Sequence, residues 1–208
     1  MADQADFASK YSIDLCAYRD LLATLPSDLP GASNLRDGIA CSELALVFHT
    51  EANRAVQAEI WFAAAALAAA ALESMLLAKM FMNAEEVVKL PTFRKLLDKH
   101  NGDIGSFARK MDLGNLVEMA KQLGWFRPGG VPSLLTDMLS KHVDMTTLMA
   151  LTAFFKHSQS AGYEAADLLR QYRNLLHPAS CLKQEAQPTK ETGMRATYFS
   201  LVAFASLA

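Results

Sequence analysis

The chain has 208 residues, of which 51% are hydrophobic and 20% are charged, and its formal net charge is −2. This length suits one domain with a substantial core, and the composition, with only ten glycines and seven prolines, excludes a disordered or loop-rich protein. The small negative charge excludes a general attraction to nucleic acid, so RNA binding would need a local basic patch.

The N-terminal segment and the cysteines indicate the cellular compartment of the protein. The first ten residues, MADQADFASK, contain acids and no apolar run, so they lack the pattern of a secretory signal. The three cysteines, Cys16, Cys41 and Cys181, are odd in number and far apart, which excludes a closely paired zinc or redox motif. We therefore expect a reduced, cytoplasmic protein.

Two helical regions are predicted in the part of the chain before residue 84. Residues 5–23 have the pattern of an amphipathic helix, which the prolines and glycine of LPSDLPGASN bring to an end. The next region has no proline or glycine between Gly38 and Asn83, which is far longer than an ordinary helix. We therefore expect a break or bend near residues 48–54.

An alanine-rich segment follows, IWFAAAALAAAALESMLLAKMFM, at residues 60–82. It is long enough to span a bilayer, but it contains Glu73 and Lys79, so we expect no membrane insertion. A core helix whose alanines let its neighbours approach closely is the better interpretation. Glu73 would be a functional acid if it were buried alone, but such acids are rare, and a paired or rim-exposed carboxylate is favoured.

Further helices are predicted in the second half of the chain. They comprise PTFRKLLDKH from Pro91, MDLGNLVEMAKQLGWF, residues 133–142, residues 144–157 with Asp144 as the cap, and residues 163–177. The apolar ending MRATYFSLVAFASLA either forms a last helix that docks into the core or precedes a natural continuation beyond Ala208. With no strand pattern and no internal repeat, the sequence predicts an all-α fold.

The segment LLRQYRNLLHPAS, at residues 168–180, carries the candidate chemistry. At helical spacing its polar side chains form one surface, separate from the leucines, which we call the motif face: Arg170, Arg173, Asn174 and His177. These side chains are one or two turns apart, so one anion could contact several of them. The alternative is an ordinary solvated basic face.

Pro178 and the local charges favour the functional interpretation. The proline should end the helix at His177, where the helix dipole favours the imidazolium form. No acid occurs between Leu168 and Lys183, so the segment is a local basic patch. Elsewhere, four histidines lack partners at ligand spacing, which predicts no metal site: His49, His100, His142 and His157.

LLRQYRNLLHPA, preceded by MDLGNLVEMAKQLGW and by the alanine-rich helix ending LESMLLAKM, resembles the HEPN superfamily (higher eukaryotes and prokaryotes nucleotide-binding domains). The resemblance covers roughly residues 55–208, with residues 1–54 as an N-terminal helical extension and an insertion at about 127–160. It implies a single HEPN-like domain built as an antiparallel helical bundle. The family's motif is an arginine and a histidine separated by four to six residues, and six residues separate Arg170 from His177. Only three residues separate Arg173, which is followed by Asn174, from His177, one fewer than the motif requires.

The resemblance also implies a function. Active members are metal-independent endoribonucleases, many of them toxins or defence effectors, in which two subunits join their motifs across a dimer interface. Carried over, Arg170, Asn174 and His177 would be catalytic, and Arg173 and Lys183 would bind the substrate. His177 would assist attack of a ribose 2′-hydroxyl on the adjacent phosphodiester while the arginines stabilise the phosphate charge.

The implied partners are a second copy of the chain, RNA, and an antitoxin or regulatory protein, and no cofactor, metal or membrane is expected. Other members of the superfamily have lost activity. The alternative function is therefore a catalytically inactive module for dimerisation, ligand binding or regulation.

Overall fold

The computed structural model describes residues 31–141, 144–175 and 189–207. Of these residues, 76% are helical and none forms a strand, which confirms the all-α prediction for this part of the chain. Two isolated bridges, Phe126 to Leu207 and Gly129 to Ser160, are the pairings of extended backbone found there. The predicted helix at residues 5–23 lies outside the described residues.

The described residues form ten helices. In chain order they are α1 (Ala32–Gln57), α2 (Trp61–Met82), α3 (Ala84–Val87), α4 (Pro91–Asp98), α5 (Ile104–Ala108), α6 (Leu113–Gln122), α7 (Ser133–Leu139), α8 (Met145–Ala153), α9 (Ala161–Leu175) and α10 (Lys190–Ser206). The boundary predicted between residues 54 and 55 falls within α1, and α7 and α8 both lie in the segment predicted to be an insertion.

Of the break or bend expected near residues 48–54, the break is wrong, because α1 runs without interruption to Gln57. The helix ends at Gln57, and two residues later Glu59 has a left-handed φ of 60°. Here the Ile60 N–H donates to the Ala55 carbonyl at 2.8 Å and the Glu59 N–H donates to the Val56 carbonyl at 3.1 Å. These are the two hydrogen bonds of a Schellman cap, formed without the usual glycine.

Helix α2 is the central element of the fold. It packs against α1, α6, α9 and α10, and five of its alanines are fully buried: Ala64, Ala65, Ala68, Ala69 and Ala71. Among the described helices it is also the one whose length and composition would allow it to cross a bilayer. In this structure its alanine surface faces other helices, as predicted for a core helix.

The shorter helices begin where local signals predict. Pro91 occupies the first turn of α4. Three aspartates cap the following helices through their carboxylates: Asp103 accepts from the Gly105 and Ser106 N–H groups, Asp112 from Asn115, and Asp144 from Thr147. The predicted cap at Asp144 is therefore confirmed, and such caps satisfy N–H groups that a helix start would otherwise leave unpaired.

Helices α9 and α10 bring the C-terminal half of the chain onto α2. In α10, Phe199, Val202 and Ala203 are fully buried, so the apolar ending does dock into the core. The two helices approach closely, because a Cβ atom added at Gly162 of α9 would lie only 2.2 Å from the Ser206 Cβ. This docking turns the buried side of α9 towards α2 and α10 and leaves its polar side accessible.

Candidate functional site

Arg170 is a partly exposed residue of α9, and its guanidinium pairs with a carboxylate of the same helix. Its Nε and Nη2 atoms lie 2.8 Å and 2.7 Å from the Oδ1 atom of Asp167. Asp167 also accepts a hydrogen bond from Gln171 through Oδ2, at 2.9 Å. The methylene chain of Arg170 lies over the first turn of α6, since a Cβ atom at Gly114 would be 3.4 Å from its Cδ.

Arg173 connects the motif helix to the central helix. Its Nη2 atom lies 3.1 Å from Oε2 of Glu73 on α2, and the side chains are 43% and 21% exposed, respectively. Glu73 is therefore a paired carboxylate at the edge of the core, as favoured from the sequence. Arg173 uses one of its nitrogens in this ion pair, and a guanidinium carries five N–H donors, so further donors remain for an anion.

Asp112 completes the group, which we call the arginine cluster: Glu73, Asp112, Asp167, Arg170 and Arg173. Burial raises the pKa of Glu73, the positive charge of Arg173 opposes this rise, and the negative charge of Asp112 adds to it. The cluster thus lies where α2, the start of α6 and α9 meet. Carboxyl groups with perturbed pKa values beside a guanidinium are frequent at functional sites, and they also occur in structural ion-pair networks.

The structure describes three of the five residues predicted to form the site. Arg170 and Arg173 lie three residues apart on α9, and Asn174 follows with an exposed side chain. His177 and Lys183 lie outside the described residues. Asp112 and Asp167 were not predicted as site residues. The three-residue spacing of Asp167 and Arg170 on one helix was a usable signal, whereas nothing in the sequence near Asp112 indicates that it approaches Glu73.

His49, at the contact between α1 and α10, is a second buried ionisable group. It is 8% exposed, its Nε2 lies 3.2 Å from the Asn53 amide nitrogen, and its Nδ1 lies 3.4 Å from Ser200 Oγ. The Ser200 hydroxyl donates its hydrogen to the Thr197 carbonyl, so Nδ1 must carry the proton. Burial lowers the pKa of His49 to about 4, and the ring is a neutral core residue.

Other candidate sites in the described part of the chain have fewer groups that could bind a ligand or take part in a reaction. No group of three or more His, Cys, Asp or Glu side chains there is placed to hold a metal ion. A groove of about 290 Å³ lies between α1, α2 and α5, lined by residues that include Asp37, Cys41 and Arg109. Of the motif residues that the structure describes, Arg170, Arg173 and Asn174, none lines this groove.

No protein-family model, curated protein or solved structure matches this chain. Any function must therefore be inferred from the residues themselves.

Proposed function

We propose that the chain is an HEPN-like antiparallel helical bundle that cleaves RNA without a metal ion. The observation that supports this proposal is the position of Arg173. It lies on the accessible side of α9, inside the segment that resembles the arginine–histidine motif, and next to the partly buried carboxylate of Glu73. A guanidinium beside an ionisable carboxyl provides phosphate binding and proton transfer in one place.

In this proposal the arginines bind the phosphate of the scissile bond. Arg170 and Arg173 stabilise the negative charge that builds on the phosphate oxygens as the 2′-hydroxyl attacks. His177 transfers a proton during this step, and Asn174 and Lys183 contact the RNA. Bidentate arginine–phosphate contacts are strong because both partners are charged, and they need no metal ion.

The active assembly is proposed to be a two-fold dimer in the cytoplasm, with the motif faces of both subunits in one cleft. A symmetric interface repeats each contact, so a motif face near the axis would meet its own copy. The biological setting would be stress response or defence, with the chain acting as a toxin controlled by an antitoxin or regulatory protein.

One observation favours the alternative, a catalytically inactive module for dimerisation, ligand binding or regulation. Both arginines of the cluster already contact carboxylates, and its two guanidiniums are outnumbered by the carboxylates of Glu73, Asp112 and Asp167. Such a cluster repels a polyanion more than a free basic patch would. In that case the arginines hold helices or subunits together.

RNA cleavage in EDTA separates the two functions. The purified wild type should cut single-stranded RNA, and His177→Ala should lower the rate by about 10² to 10⁴, the usual loss for a proton-transfer group. Arg170→Ala should be nearly as harmful. His157→Ala, which changes an exposed histidine, is the matched control and should retain full activity.

The inactive module makes the opposite prediction. The wild type would leave RNA intact, and Arg173→Ala would change the dimer dissociation constant measured by light scattering over a concentration series. Cleavage that survives His177→Ala would contradict the proposed mechanism, and cleavage that EDTA abolishes would contradict its metal independence.

A further inference from the structure

The chain between α6 and α9 leaves the body of the fold and returns to the same place. At its two ends the Gly129 N–H donates to the Gln159 carbonyl at 2.8 Å, and the Ala161 N–H donates to the Gly129 carbonyl at 2.9 Å. The Ser160 hydroxyl also donates to the Arg127 carbonyl at 3.3 Å. These hydrogen bonds join the two ends directly, without using α7 or α8.

Between these ends, few side chains attach α7 and α8 to the body of the fold. Among the described helices, α8 packs extensively against none, and α7 has a small contact with α10. Leu135, Leu148 and Leu151 are buried, whereas Met145 and Met149 are 63% and 65% exposed. Elements with few buried apolar contacts open at a lower free-energy cost than the whole fold.

The end of α8 covers two aromatic side chains of α10. The ring centroid of Phe155 lies 6.2 Å from that of Tyr198 and 5.7 Å from that of Phe199. Tyr198 is only 4% exposed, and its hydroxyl has no hydrogen-bond partner among the described residues. A buried hydroxyl without a partner destabilises the covered state, because water would bind it once it is exposed.

We propose that α7 and α8 form a lid, which opens as one unit while its ends stay joined and thereby uncovers Tyr198 and Phe199. The hydrogen bonds at Gly129 allow this motion, because they hold the ends in place when the helices between them move away. Hydration of the Tyr198 hydroxyl offsets part of the cost of exposing the leucines. This proposal does not depend on the proposed ribonuclease function.

The surface under the lid continues to the motif helix. Phe199 stacks on Tyr172 of α9, with ring centroids 5.7 Å apart and an interplanar angle of 10°. Tyr172 directly precedes Arg173 in the sequence. The lid therefore lies on an aromatic side chain that contacts the helix carrying the arginine cluster, and its opening exposes an apolar surface next to that helix.

Native-state hydrogen exchange of the full chain, measured for each amide by NMR, tests the lid. We expect α7 and α8 to share one level of protection, about 10²-fold or more below that of α2, while the Gly129 and Ala161 amides stay as protected as α9. Tyr198→Phe should slow exchange in α8 by about threefold to tenfold, because the phenylalanine gains no hydrogen bond to water on opening. Tyr163→Phe is the matched control, since the Tyr163 hydroxyl bonds to Lys121 at an exposed place outside the lid. It should leave exchange in α8 unchanged.

Several results would overturn the lid. If α8 is as protected as α2, it opens only when the whole protein unfolds, and if Gly129 and Ala161 exchange as fast as α8, the ends do not stay joined. Unchanged exchange of α8 in Tyr198→Phe, or an equal effect of Tyr163→Phe, would show that the lid does not cover the Tyr198 hydroxyl. If Tyr198→Phe does not fold, Phe155→Leu decides. It removes the ring that covers α10, so it should speed exchange in α8 by about tenfold and leave α2 unchanged, and no change in α8 overturns the proposal.

Discussion

Acidification should destabilise the fold through His49. The imidazole has an ordinary pKa of 6.5, which burial lowers to about 4 in the folded chain. Between these values the unfolded chain binds more protons, so the free energy of unfolding falls as the pH drops from about 6.5 and levels off below about 4. A difference of about 2.5 pKa units corresponds to about 3 kcal/mol, of which about 2 kcal/mol is lost between pH 7 and pH 5.

Urea unfolding at pH 7 and pH 5 measures this loss when the wild type is compared with His49→Gln, which cannot titrate. The wild type should lose about 2 kcal/mol more than the variant over this interval. Using the difference between the two proteins removes contributions common to both, such as those of Glu73. His157→Gln, at an exposed position, should behave like the wild type. Equal pH dependence in the wild type and His49→Gln would refute the assignment of His49 as a neutral core residue.

Two further predictions concern packing in the core. Gly162→Ala should destabilise the protein by about 1 to 3 kcal/mol, because the new methyl group would overlap Ser206. Thermal unfolding should show this loss, while Gly130→Ala, where nothing lies within 4 Å of the added Cβ, changes little; equal effects would contradict the close approach of α9 and α10. Tyr198→Phe should leave stability unchanged or raise it by about 1 kcal/mol, since the buried Tyr198 hydroxyl has no hydrogen-bond partner among the described residues. A loss of more than about 1 kcal/mol in the phenylalanine variant would mean that the hydroxyl does have a partner.

Local signals in the sequence predict much of this fold. Pro91 and Asp144 mark helix starts because a proline in the first turn and a capping aspartate act on neighbouring backbone groups. The end of α1 could not be predicted in this way. Glu59 has no intrinsic preference for a left-handed conformation, and the turn there depends on how α2 packs back onto α1.

The candidate site is only half predictable for a similar reason. The spacing of Arg170 and Arg173 places both on one side of a helix, which is a local property. Which element that side meets depends on the tertiary fold, so the contact between Arg173 and Glu73, one hundred positions apart in the sequence, is visible only in the structure. The partner of His49 on α10 is likewise 151 positions away.

The alanine surface of α2 limits how this protein can change. At Ala64, Ala65 or Ala68, a larger side chain would push neighbouring helices apart, and glycine would weaken the helix by about 1 kcal/mol. Helix α9 docks on the same helix, and the ion pair of Glu73 with Arg173 joins the two. These buried positions are therefore occupied by the residue that mutagenesis uses as its neutral replacement. An alanine scan of this protein would pass over them without recording any effect.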